Sequence, residues 1–151
     1  MKEKVFALVA HDNRKEALLG WTAEHKDVLA RGSMVCTGTT GSLVAGYFRE
    51  QGIDARVTRL KSGPLGGDQQ LGSMIAEGKV DYLIFFWDPM EPQPHDVDVK
   101  ALLRLAVLYN IPTANNRSTA DFLITSPLIG SDYAPEVTDY STYIKRNVQV
   151  K

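Results

Sequence analysis

Cysteine is nearly missing. Cys36 is the only one in 151 residues, so no intrachain disulfide can form and no cysteine metal cluster exists. A reducing cytosol suits such a chain. Net charge is nearly missing too: at -1 there is no basic stripe for a phosphate backbone, which argues against nucleic acid as the main partner. One small phosphorylated ligand stays open, because a few cations and backbone amides suffice for it. No apolar run approaches the roughly 20 residues of a membrane span. Val5 to Ala10, behind Met1-Lys2-Glu3-Lys4, stops after six residues at His11-Asp12, too short for the core of a signal peptide. A soluble cytoplasmic protein with no membrane partner is expected. Long Pro/Gly/Ser linkers, repeats and low-complexity tracts are also absent, so a single domain is expected over 1–151.

What is there is globular. Hydrophobic residues make up 44% and charged residues 23%, enough to bury a core and too apolar for disorder. Short apolar runs alternate with helical periodicity, which predicts βαβ units and a mostly parallel sheet. Val5–Ala10 reads as a strand buried on both faces. Leu18, Trp21, His25, Val28 and Leu29 stripe one helix that stops at Gly32. Met34–Thr37, Ala55–Lys61, Tyr82–Trp87 and Ile111–Ala114 read as the further strands, with helices ending near Gly52 and Gly78 and another striped by Leu102, Leu103, Ala106 and Val107. Ser118 is expected to cap a short helix through Phe122, and Val137, Tyr140, Tyr143 and Ile144 allow a helix in the tail. The fold class is α/β: a doubly wound, mostly parallel five-stranded sheet with helices on both faces.

In such a sheet, ligands bind outside the carboxyl ends of the strands, and the polar clusters fall there. Thr37-Gly38-Thr39-Thr40-Gly41 follows the second strand. It is either a capped helix start or an anion cradle of amides and hydroxyls. Ser62-Gly63-Pro64-Leu65-Gly66-Gly67-Asp68 follows the third strand with a closely specified backbone path. Asp68 is there either a helix N-cap or a general base. Asp88 to Asp98 carries three prolines and His95 between carboxylates, and His95 is either a solvated loop residue or an imidazole tuned for work. His11 stands directly after the first strand, a favoured place for a ligand contact, and Lys15 lies about one turn beyond it. His25 falls on an apolar stripe and is structural. No P-loop, dinucleotide fingerprint, nucleophile elbow or metal-ligand spacing is present, so neither cofactor nor metal is expected.

Read in order, these pieces resemble the methylglyoxal synthase family. The motifs are Ala-Leu-Val-Ala-His-Asp from Ala7, then Lys15; Thr-Gly-Thr-Thr-Gly from Thr37; and Ser-Gly-Pro-Leu-Gly-Gly-Asp-Gln-Gln from Ser62. Phe-Phe-Trp-Asp-Pro from Phe85, Pro-His-Asp-Val-Asp-Val-Lys from Pro94 and Asn-Ile-Pro from Asn110 follow, with a looser match reaching Arg146. The resemblance implies conversion of dihydroxyacetone phosphate to methylglyoxal and inorganic phosphate. It implies Asp68 as the catalytic base, His95 near the carbonyl and hydroxyl oxygens, and Asp98 in support. Lys15, Thr37, Gly38, Thr39, Thr40, Ser62 and Gly63 would hold the phosphate, with His11 nearby. A homohexamer inhibited by phosphate is implied as well, with Asp12 and Arg146 coupling subunits. Asn13 and Arg14, where the family varies, receive no role.

The residue types fit that chemistry. A carboxylate removes a proton, assigned to the carbon between the carbonyl and the phosphate ester, and the enediolate then expels phosphate. A carboxylate with a neutral imidazole performs a related first step in triosephosphate isomerase. Two alternatives stay open: a non-catalytic binding domain of the same fold, and an isomerase that retains the phosphate.

Overall fold

The computed structural model describes residues 3–147. The strands are β1 (Val5–Ala10), β2 (Ser33–Cys36), β3 (Arg56–Arg59), β4 (Tyr82–Phe86) and β5 (Thr113–Ala114). Between them run α1 (Lys15–Glu24), α2 (Lys26–Arg31), α3 (Gly38–Glu50), α4 (Gly67–Ala76) and α5 (Asp96–Leu108), followed by α6 (Arg117–Ile124) and a short α7 (Ser141–Ile144). Met1, Lys2 and residues 148–151, the ends of the domain expected over 1–151, lie outside the described residues.

Every strand pairing is parallel and the sheet order is β3-β2-β1-β4-β5. The five-stranded doubly wound expectation holds. Alternation along β1 shows why its sequence is apolar throughout. Phe6, Leu8 and Ala10 enter one core with Leu18, Trp21, Leu29, Phe48 and Ile124, while Ala7 and Val9 enter the other with Leu71, Ile75, Leu83 and Leu102. Thus α1, α2, α3 and α6 cover one face, and α4 and α5 the other. Burying side chains as large as Trp21, Phe6 and Phe48 stabilises the fold by about 1.5–3 kcal/mol each. The edge strand β3 carries exposed Arg56 and Arg59, which discourages further strand pairing. Among the described residues no helix is long and apolar enough to cross a membrane.

Four local expectations need correction. The helix expected from Leu18 to Leu29 breaks at His25, whose φ of -114° and ψ of 21° leave the helical region; its Nε2 lies 3.1 Å from Asp121 Oδ1. The last strand starts at Thr113 rather than Ile111 because Pro112 has no N–H, although its carbonyl still accepts from Leu83 N–H at 3.0 Å. Asn116, not Ser118, caps α6 by accepting from Thr119 N–H at 2.9 Å, and the helix runs on to Ile124. The tail helix is confined to Ser141–Ile144 and leaves Val137 outside it.

Candidate active site

The strand order turns back at β1, with β2 on one side and β4 on the other. The exits of β1, β2 and β4 and the turn after β3 open together onto a cleft of about 250 Å³. His11, Asp12, Lys15, Thr37, Gly38, Thr39, Thr40, Ser62, Gly63, Asp68 and His95 all line it. Asp98 and Arg146 do not. Asp98 sits behind Asp68, in the groove between α4 and α5, while the Arg146 guanidinium lies 3.7 Å above its neighbour Tyr143.

The cradle is built on α3. Thr37 occupies the N-cap position but its side chain makes no capping bond, so the capping alternative fails for this hydroxyl. Gly38 has a φ of +50° and donates its N–H to the carbonyls of Leu60 and Lys61 at 3.2 and 3.1 Å, which pins the loop against the β3 exit. A Cβ there would stand 2.9 Å from Ser62 Cα. The amides of Thr39 and Thr40 fall in the first helical turn, where a helix offers no carbonyl of its own and favours an anion. Lys15 opens α1 at the same rim and pairs with Asp12 at 2.5 Å. That bond, with the lysine charge, holds the Asp12 carboxyl below its ordinary range. Asp12 itself is 92% exposed, so water competes for the pair and an arriving anion can claim the ammonium.

At the other end stand Asp68 and His95. Asp68 is not an N-cap: Gly66 holds that position in left-handed backbone, and Asp68 lies in the first turn of α4. Its carboxylate is buried, and burial pushes its pKa up, with His95 opposing and Asp98 adding to the rise. His95 stands at the N-cap of α5, just before the helix, its carbonyl accepting from Asp98 N–H at 2.9 Å. The His95 Nε2 to Asp68 Oδ2 distance is 3.6 Å, a close approach but too long for a hydrogen bond. Gly63 makes the approach possible, because a Cβ there would stand 2.9 Å from His95 Nε2 and 3.1 Å from Asp68 Oδ2.

His11 completes the group. Its ring stands edge-on to Phe85 and, at 6.1 Å, to His95. Nδ1 accepts from the backbone N–H of Asp88 at 3.0 Å, and an amide can only donate. The proton of the neutral ring therefore sits on Nε2. Burial, reinforced by His95, holds the His11 pKa below its ordinary value. Of the five buried polar side-chain atoms without a partner among the described residues, four line this cleft: His11 Nε2, Thr40 Oγ1, Asp68 Oδ2 and His95 Nδ1. Buried polar atoms seldom stay unpaired, and here they converge where a small oxygen-rich ligand would meet them.

Sequence reasoning passed over three contributors. Gln93 and Pro64 line the cleft, and Asp88, buried at the end of β4, fixes the His11 tautomer through its backbone. Only the position of Asp88 directly after a buried strand could have signalled it. Glu24, His25 and Asp121 also come together, which spacing could not show for residues so far apart. Arg117 already reaches Glu24 there at 2.5 Å and supplies the positive charge.

Residues 18–115 match the family described as an MGS-like domain. A methylglyoxal synthase of Maridesulfovibrio salexigens is 57% identical, covering 97% of this chain and 99% of its own. One of Oleidesulfovibrio alaskensis is 58% identical, covering 95% of each. A crystal structure of methylglyoxal synthase from Elizabethkingia anophelis superposes with a TM-score of 0.86 at 50% identity, covering 97% of this chain and 93% of that one.

Proposed function

The chain belongs to the methylglyoxal synthase family, and from that premise we propose that it is a lyase converting dihydroxyacetone phosphate to methylglyoxal and inorganic phosphate, with Asp68 as the base. The observation that carries the assignment is the buried, unpartnered Asp68 carboxylate oxygen facing His95 at the end of a cradle built for one phosphate. Lys15, the hydroxyls of Thr37, Thr39, Thr40 and Ser62, and the turn at Gly38 and Gly63 hold the phosphate.

Electron bookkeeping moves the first step from the carbon assigned on residue types to the hydroxymethyl carbon. Removing a proton from the carbon that bears the ester would leave the phosphate on the double bond, with no path for its departure. Asp68 instead takes a proton from the hydroxymethyl carbon. The C–H electrons form the carbon–carbon double bond of an enediolate, and the carbonyl oxygen takes up negative charge. Imidazole N–H groups offset that charge: His11 Nε2, whose tautomer is fixed, and His95, which serves the carbonyl and hydroxyl oxygens. The enediol hydroxyl then loses its proton, its carbon becomes the aldehyde, the double bond shifts, and the C–O bond to phosphate breaks with its electron pair. The enol released ketonises to methylglyoxal. Gripping the phosphate out of the enediolate plane aligns the breaking bond with the π system, and Lys15 with the amides of Thr39 and Thr40 meets the charge that develops on the leaving group. Asp98, behind Asp68, supports the base without touching substrate.

Incubation with dihydroxyacetone phosphate in EDTA tests the reading, with methylglyoxal and phosphate measured together. Equal amounts of both are expected. Glyceraldehyde phosphate without free phosphate would indicate the isomerase, and no product the binding domain. In the same assay Lys15→Ala should raise KM and weaken phosphate inhibition by about 10- to 100-fold, the scale of one charge-assisted bond, and unchanged values would refute its role.

The same reading makes the protein a cytosolic homohexamer with phosphate-sensitive coupling through Asp12 and Arg146. Support for assembly is the set of exposed apolar side chains, including Val107, Phe122, Tyr143 and Ile144. Support for the cytosol is the free, buried Cys36, whose thiol is pushed up to about 12 by burial. Sedimentation at micromolar concentration should give a species far above 16.7 kDa, and a monomer would overturn the assembly.

A further inference from the structure

We propose that Asn13 is a latch for the loop between β4 and α5 and, through that loop, a positioning residue for Gln93 and His95. The loop runs from Asp88 to His95 and contains Pro89, Pro92 and Pro94, which donate no hydrogen bonds. Its internal bonds are few: Met90 N–H to Asp88 Oδ1 at 3.0 Å, and Gln93 Nε2 to the Glu91 carbonyl at 3.3 Å. Asn13 lies in the turn between β1 and α1, beside Asp12. Its amide donates to Asp88 Oδ2 at 3.0 Å and to Glu91 Oε2 at 2.6 Å. Among the described residues, only two hydrogen bonds tie residues 89–94 to anything outside the β4–α5 connection: Asp96 N–H, at the start of α5, donates to the Gln93 carbonyl at 3.2 Å, and Asn13 holds Glu91 from across the cleft rim.

The chemistry suits a latch. An amide NH₂ carries two hydrogens and can give one to each of two carboxylates that would otherwise repel. At the root of the loop it holds Asp88, whose own N–H sets the His11 tautomer; farther along it holds Glu91, two residues before Gln93 and four before His95. Asn13 and Glu91 are both exposed, so the bond opens without uncovering the core, as a loop that admits substrate and releases product requires. Asn13 does not line the cleft and acts only through the loop.

This inference rests on the reading of the cleft as the substrate site, but its first test needs no turnover. Hydrogen exchange at the amide of Met90, which donates to Asp88 Oδ1, should quicken several-fold in Asn13→Ala and in Glu91→Ala, about the scale of one exposed bond to a carboxylate. The double variant should be no faster than Asn13→Ala alone, because Asn13→Ala already removes the Glu91 contact along with the one to Asp88. Glu91→Gln keeps an acceptor and should exchange as the unaltered chain does. With dihydroxyacetone phosphate, the two alanine variants should share a KM raised several-fold, and Glu91→Gln should not. Glu91 is exposed, so its variants keep the protein folded even if Asn13→Ala does not. Exchange unchanged in Glu91→Ala, or effects of the two alanines that simply multiply, would overturn the latch. Quickened exchange with an unchanged KM would keep the latch and overturn the positioning role.

Discussion

Asp68→Asn is expected to cut turnover by about 10²–10⁴-fold, the usual scale for general acid–base catalysis, while phosphate still binds. Asn has nearly the same shape but cannot accept a proton from carbon. His95→Gln keeps a donor near the oxygens and should slow enediolate formation less. Exchange of the hydroxymethyl hydrogens in D₂O reports the first step apart from phosphate release. Wild-type exchange in Asp68→Asn, with none in His95→Gln, would reverse the two roles. The protonation state gives a second check. Burial raises the Asp68 pKa, so the acidic limb of kcat/KM should fall above the ordinary carboxylate range and disappear in Asp68→Asn. Stability moves the other way. A carboxyl with a folded pKa above its unfolded one destabilises the fold once it ionises. That penalty is fully present above the folded pKa and is lost as pH falls below the unfolded one. Asp68→Asn should therefore raise the Tm at neutral pH and lose that gain in acid, a trade of stability for function. A lowered Tm at neutral pH would count against the burial argument.

The sequence read most clearly where one physical rule governs. β1 and β4 are continuous apolar runs because both faces are covered, and their bounds were legible almost to the residue. The rim was legible because parallel topology sends every strand exit to one edge, and glycine and hydroxyl residues cluster there. Contacts between distant segments were not legible. His25 looked like a member of a continuous stripe, and only Asp121, far along the chain, shows why it leaves the helix. Asp88 looked like the first residue of a loop, yet its backbone N–H decides which nitrogen of His11 carries the proton. For Asp98 the resemblance implies only support of the site, without a place; the first turn of α5 sets it behind Asp68, outside the cleft. Asp68 read as either a cap or a base. The left-handed Gly66 takes the cap position and leaves the carboxylate unpartnered.

Gly63→Ala should remove about 10²-fold of turnover while leaving the fold intact, and the reason is steric. The added Cβ would stand 2.9 Å from His95 Nε2, 3.1 Å from Asp68 Oδ2 and 3.3 Å from His95 Cδ2. All three are side-chain atoms, so they can yield, and no backbone has to move. They yield by separating base and imidazole, which lie 3.6 Å apart, and displacements below 1 Å at a reacting centre can cost about that factor. Gly67→Ala provides the contrast. Its Cβ would fall 1.9 Å from the Lys61 carbonyl oxygen and 2.9 Å from that of Ser62, neither of which can yield without unfolding the turn, so Tm should drop together with activity. For Gly63→Ala, Tm should stay near its original value and kcat should fall far more than phosphate inhibition weakens, because the added Cβ meets His95 and Asp68 while the Gly63 backbone that serves the phosphate keeps its path. The decisive comparison is with the base already disabled. If the methyl group acts by displacing Asp68 and His95, then Gly63→Ala placed in Asp68→Asn should cost far less than it does alone, since damage to one working unit is not additive. A full further loss in the double variant would mean that the methyl group acts through the phosphate cradle alone, and normal turnover in the single variant would mean that the close approach of the three residues has no part in catalysis.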